Sequence, residues 1–151
     1  MMRPLKPPAR AGRPRALHRR GERMVLTAAA IEELFASAEV LAEGGLSGDP
    51  GRETWYGSIM ITFHLDRVAE RCRGLEEPAQ IDALIDAICG SVRVRIRAHR
   101  MACREIYARY PDRRVGTAFV ESRFRREGSR LLLDVDLEAP VEVVSGHRRA
   151  R

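Results

Sequence analysis

Two stretches on either side of Glu127-Gly128 mirror one another, and no other feature of the chain restricts its fold as tightly. Before the dipeptide, Ala118, Val120, Ser122 and Phe124 alternate with Phe119, Glu121, Arg123 and Arg125; after it, Leu131, Leu133, Val135 and Leu137 alternate with Leu132, Asp134 and Asp136. Taken as a hairpin with a two-residue turn at Glu127-Gly128, this pattern sets Phe124 opposite Leu131, Ser122 opposite Leu133, Val120 opposite Val135 and Ala118 opposite Leu137. One face of the ribbon is then apolar. A one-residue slip would mix apolar with charged positions, so the pairing is strongly specified. Pro140 cannot donate to a ladder and predicts that the last strand lies at a sheet edge.

The second face predicts a partner. The same register opposes Glu121 to Asp134 and Arg125 to Arg130, like-charge neighbours that cost stability, and exposes Phe119 and Leu132 on an uncovered sheet. A second subunit would bury the apolar pair and bring opposite charges, making Phe119, Arg123, Leu132 and Asp134 the expected interface of a homo-oligomer. Cover by the N-terminal helix, or a diagonal contact of Arg123 with Asp134, would serve instead.

Upstream, Thr27 can cap a helix to about Glu43, with Ile31, Leu34, Phe35, Ala38, Leu41 and Ala42 at helical spacing. Gly44-Gly45 and residues 47–51 read as a loop. Trp55 to Leu65 is apolar on both faces of an alternating pattern and predicts a strand buried on both sides. Asp66 to Arg73 fits a short helix and Pro78 starts a clearer one. Residues 91–98 suit either period. Val92, Val94 and Ile96 alternate with arginines, yet the three-and-four spacing from Ile81 to Tyr110 favours a helix ending before Pro111. These elements predict an α+β fold: a small, mainly antiparallel sheet of three to four strands with a C-terminal β-hairpin, covered on one face by two or three helices.

The chain's 151 residues, 44% of them apolar, suit one core, expected over 25–147. No run approaches the roughly 18 apolar residues of a membrane helix. The net charge of +6 has an uneven source. Residues 1–24 carry eight basic groups and one acid, a Pro- and Arg-rich arm expected to be disordered, and 148–151 form a basic tail. The arm suits a tether to nucleic acid or an acidic surface, a transit peptide, or an overextended start before Met24; the last is favoured, because Arg20-Gly-Glu-Arg23 is what a purine-rich ribosome-binding site translates to. Arginine outnumbers lysine 26 to one, as in a GC-rich bacterial genome. Residues 25–89 balance at −8 and residues 90–130 at +8. That segregation leaves either acidic helices against a basic segment or an arginine-lined face for an anion.

Candidate chemistry is sparse. Arg93, Arg95, Arg97, Arg100 and Arg104 have the charge for an anion or nucleic acid, with few aromatics nearby for stacking bases. His64 and Asp66, at the end of a buried strand, are the candidates for general base chemistry, against a strand-end histidine bonded to a helix-capping aspartate. The odd set Cys72, Cys89 and Cys103 points to reduced thiols in a cytoplasm. His99 and Cys103 have a ligand-like spacing but no second pair to complete a metal site, so neither metal nor cofactor is expected.

His64-Leu-Asp-Arg-Val-Ala-Glu70 after an apolar strand resembles the His-Met-Ser-Arg segment of the type IB GTP cyclohydrolases, tunnel-fold enzymes of pterin synthesis, and Ala139-Pro-Val-Glu142 is similar to their closing Val-Pro-Val-type strand. The resemblance covers about half the chain and rests on His64, Arg67 and Glu70 within the segment. It implies a tunnel-fold pterin-type enzyme. The family's catalytic cysteine follows the last strand, and this chain has no cysteine beyond Cys103. The leading expectation is therefore a non-catalytic cytoplasmic domain acting through self-association or a protein partner. Anion or nucleic-acid binding comes second and the enzyme third.

Overall fold

A computed structural model describes residues 12–144. Its elements are β1 (Leu17–Arg20), β2 (Arg23–Leu26), α1 (Ala28–Ala36), β3 (Glu39–Asp49), β4 (Arg52–His64), α2 (Leu65–Arg71), α3 (Pro78–Cys89), α4 (Val92–Arg109), β5 (Arg113–Val115), β6 (Phe119–Glu127) and β7 (Arg130–Val143). The fold is α+β, with a mainly antiparallel five-stranded sheet and a separate two-stranded one. By their contacts the residues form two compact units, 12–37 with 64–91 and 38–63 with 92–144.

In the first unit, β1 and β2 form a hairpin whose Ala16, Leu17 and Leu26 are buried. Thr27 then caps α1: its Oγ1 accepts from the Ala30 N–H at 3.1 Å and donates to the Arg15 carbonyl at 2.6 Å. This corrects the expectation of a disordered arm over 12–24, since Met24 lies within β2 opposite Arg19. Ala16, Leu17 and Leu26, at the end of the hairpin away from the Gly21-Glu22 turn, give that short stretch something to bury. The rest of the arm (1–11) and the basic tail (148–151) lie outside the described residues.

The second unit is built around β7. That strand hydrogen-bonds with β4 and also with β5 and β6, which take successive lengths of it. The edge position predicted from Pro140 is thus corrected. Val115 pairs with Val141 and Phe119 with Glu138, so the three residues 116–118 answer the two residues 139 and 140. Pro140 sits in this bulge, the place within a sheet where a missing N–H is tolerated, and its carbonyl accepts from Gly116 at 2.8 Å.

The C-terminal hairpin has the predicted faces and a different register. Its turn is Gly128-Ser129, because the first turn position takes a positive φ of 62°, which suits glycine and not Glu127. Phe124 consequently pairs with Leu133, Ser122 with Val135 and Val120 with Leu137. The slip is two residues, an even number, so Leu131, Leu133, Val135 and Leu137 remain buried on one face.

The helix predicted to reach Glu43 stops at Ala36, and Glu39–Asp49 pair with β4 instead of looping. The reason lies in β4. Trp55 is wholly buried, and a Cβ on Gly44 or Gly57 would come within 2.7 Å of its ring. Gly44 and Gly57 are a cross-strand pair, so the two glycines clear the seat on which the indole lies. A side chain at either position would drive the strands apart.

Gly57→Ala is expected to destabilise by about 1–3 kcal/mol through overpacking, since the added methyl meets the Glu43 carbonyl and the Trp55 ring. Gly45→Ala, with open space around it, should stay within about 0.5 kcal/mol in the same urea titration.

Candidate functional site

Helix α4 follows from a four-residue repeat: Val94, Ala98, Ala102 and Ile106 are buried along one stripe. The opposite stripe is arginine. Arg93, Arg97, Arg100 and Arg104 stand at i, i+4, i+7 and i+11 and share one face of the helix, about 16 Å long at 1.5 Å per residue. Arg93, Arg100 and Arg104 are exposed, and among the described residues no hydrogen bond or ion pair engages them. Arg97, between them, is half-buried and interacts within the fold. Tyr107, 50% exposed, extends the row by one position.

Arg95 leaves the predicted set. It donates to Ser122 Oγ at 2.7 Å, with its guanidinium 5.0 Å from the centre of the Phe124 ring. Its charge helps seat α4 on the apolar face of β6. Other arginines of this unit are engaged as well. Arg109 donates to the Ala42 carbonyl at 2.8 Å, and Arg113 pairs with Glu53 where both side chains are less than one-fifth exposed. Arg125 bridges Asp134 at 3.0 Å and Glu127 at 2.5 Å, and hydrogen bonds to the two carboxylates hold its pKa above the ordinary guanidinium value.

The row opposes its own helix. Three successive like-charge steps cost about 0.2–0.5 kcal/mol each in an isolated helix. The first turn holds no acid to answer the helix's positive end, and Arg93 adds to it, a further cost of about 0.3–1 kcal/mol. An anion on this face would relieve both.

The predicted interface is corrected in part. Phe119 is 68% exposed, but Leu132 is only 3% exposed and leaves no apolar partner beside it to cover. Arg123 lies directly opposite Asp134, and Arg125 opposite Leu132, so the expected clashes of Glu121 with Asp134 and Arg125 with Arg130 do not form. Glu121 faces Asp136 instead. Partners were misassigned because two residues of slip preserve faces while changing every opposite number.

His64 is the N-cap residue of α2 without a side-chain cap bond, and Asp66 lies exposed in the first turn. His64 interacts elsewhere in the fold. Arg67 and Glu70 are exposed on the same helix, and Ala139-Pro140 lies in β7. Cys103 Sγ is 3.7 Å from His99 Nε2 on α4. Among the described residues no group of three or more His, Cys, Asp or Glu is placed to hold a metal ion, and no helix is long and apolar enough to cross a membrane.

The fold and site define an α+β chain that presents an arginine-faced helix. No protein-family model, curated protein or solved structure matches it.

Two expectations separate structural groups from the row. Glu53→Ala should cost about 1.5–3 kcal/mol, as it leaves the largely buried Arg113 to its longer contact with exposed Asp112, whereas Glu142→Ala at an exposed pair should cost at most about 1 kcal/mol in denaturant melts. Burial, helped by nearby Glu33 and opposed by Arg13, raises the Cys72 thiol pKa. The unfolded chain therefore loses that proton first. Stability should be intact below the ordinary thiol range and fall as pH climbs through it, and Cys72→Ala should flatten that alkaline decline.

Proposed function

We propose that the chain binds the phosphate backbone of duplex nucleic acid through Arg93, Arg97, Arg100 and Arg104, as a binding protein without chemistry of its own. The observation that carries this reading is the row itself: exposed Arg93, Arg100 and Arg104, unengaged among the described residues, in line with half-buried Arg97 along one helix face, with Arg93 at the helix's positive end. Its length of about 16 Å matches close to five base-pair steps of a duplex strand at 3.4 Å each. Backbone contact suits it better than base stacking, since Tyr107 is the one exposed aromatic on this face. The free cysteines fit a reducing compartment, the cytoplasm. Self-association through the outer sheet face is the second reading, favoured by the exposure of Phe119.

Binding of a labelled duplex should weaken about 40-fold between about 50 and 200 mM salt if three counterions are released, each adding about −0.9 to the logarithmic slope. Arg100→Ala should reduce that slope by about one, while Arg114→Ala, exposed but off the row, should leave it unchanged. A salt slope that Arg100→Ala does not move would remove the row from nucleic-acid binding.

A further inference from the structure

The five-stranded sheet ends at β6. Its nine residues hydrogen-bond to β7 on one side, and no described strand pairs with the other. Such an edge is a template for another strand unless its side chains forbid the pairing. Here, among the registers that pair at least five of its nine residues, they select one.

An antiparallel pair of identical strands is centred on one residue, and each choice of centre fixes which side chains meet. Centring on Glu121, Arg123 or Arg125 sets that charge against its own copy. Centring on Phe124 opposes Arg123 to Arg125 and Glu121 to Glu127. Centring on Ser122 produces no like-charge opposition along the strand: Glu121 meets Arg123 twice, Phe119 meets Arg125 twice and Val120 meets Phe124 twice. Each meeting has its own chemistry. The first is an ion pair, the second an aromatic ring against a guanidinium, the third an apolar contact on the helix-bearing face. Phe119, the most exposed large apolar side chain of the described residues, gains a partner on the outer face.

We propose that two copies of this chain pair antiparallel along the free edge of β6, with the two-fold axis at Ser122, to form one continuous sheet. The partner is a second copy because the complementarity is between the strand and its own reverse. One group resists. Arg95, bonded to Ser122, comes towards its counterpart near the axis on the helical face.

The full chain tests this directly. Light scattering at micromolar concentration should give a dimer mass. Glu121→Arg, which sets like charges opposite each other at both ends while facing Asp136 favourably within its own chain, should give a monomer. Adding Arg123→Glu to it should restore the dimer. Arg95→Gln should tighten the dimer by removing the repulsion at the axis. Ser122→Cys should oxidise to a covalent dimer, as the two Cα atoms at the centre of an antiparallel pair lie about 4.5–5.5 Å apart, within disulfide reach. Glu121→Cys, two positions out of register with its own copy, and the parent chain with its three thiols should not cross-link. A monomeric parent chain at high micromolar concentration, or equal cross-linking of Ser122→Cys and Glu121→Cys, overturns the proposal.

Discussion

The second unit depends on β7 being paired along both edges. A strand in that position must bury one face continuously, and residues 131–141 do so at every odd position. The other consequences follow from that anchor. β5 and β6 can share one edge only by inserting the bulge at residues 116–118, which accommodates Pro140. β4 takes the other edge and carries Trp55 into the core, where the Gly44 and Gly57 pair leaves room for the indole. Burying a Trp side chain stabilises by roughly 1.5–3 kcal/mol or more, which offsets the backbone entropy of two strand glycines.

Charge is divided by role. Three arginines of the second unit, Arg113 and Arg125 on the strands and Arg109 at the C-terminal end of α4, are engaged, by Glu53, by Asp134 and Glu127, and by the Ala42 carbonyl. Those along the outward stripe of α4 are arranged against the helix dipole and against each other. A helix that needed only solubility would intersperse acids there. The cost of the arrangement is the physical argument behind the proposal that the row meets a polyanion. The β6 edge is independent of it, since its complementarity concerns alternate residues of a different element.

Much of the fold was legible because period is local. The helical state of 92–109 was readable from the three-and-four spacing, but its face and its start were not. The helix breaks at Gly90-Ser91 between α3 and α4. Val92 and Ile96, which that spacing puts on the apolar stripe, are exposed, while Val94, Ala98, Ala102 and Ile106 are buried. That Arg93, Arg97, Arg100 and Arg104 share one face of it followed once that helix was accepted. The engagement of Arg95 did not, because its direction towards Ser122 and Phe124 depends on where β6 lies. The segment 39–49 was misread for a similar reason. Glu39 to Glu43 is short enough to fit both periods, and what makes it a strand is β4, which pairs with β3 at eleven positions from up to 23 residues away in sequence. Leu41, assigned to a buried helical stripe, is 54% exposed as a result.

The sequence by itself determined which face of the C-terminal hairpin is apolar, that the span from Pro78 to Arg109 is largely helical and that basic charge gathers on one segment, because side-chain periodicity is set by backbone geometry alone. Only the tertiary structure decided which residues oppose which. The register of β6 against β7 rests on the conformation of one glycine, and an even slip leaves the apolar pattern unchanged while replacing every charged partner. Tertiary pairing likewise recruited residues 17–26 into a hairpin, since four-residue strands have no stability until neighbouring elements bury Leu17 and Leu26.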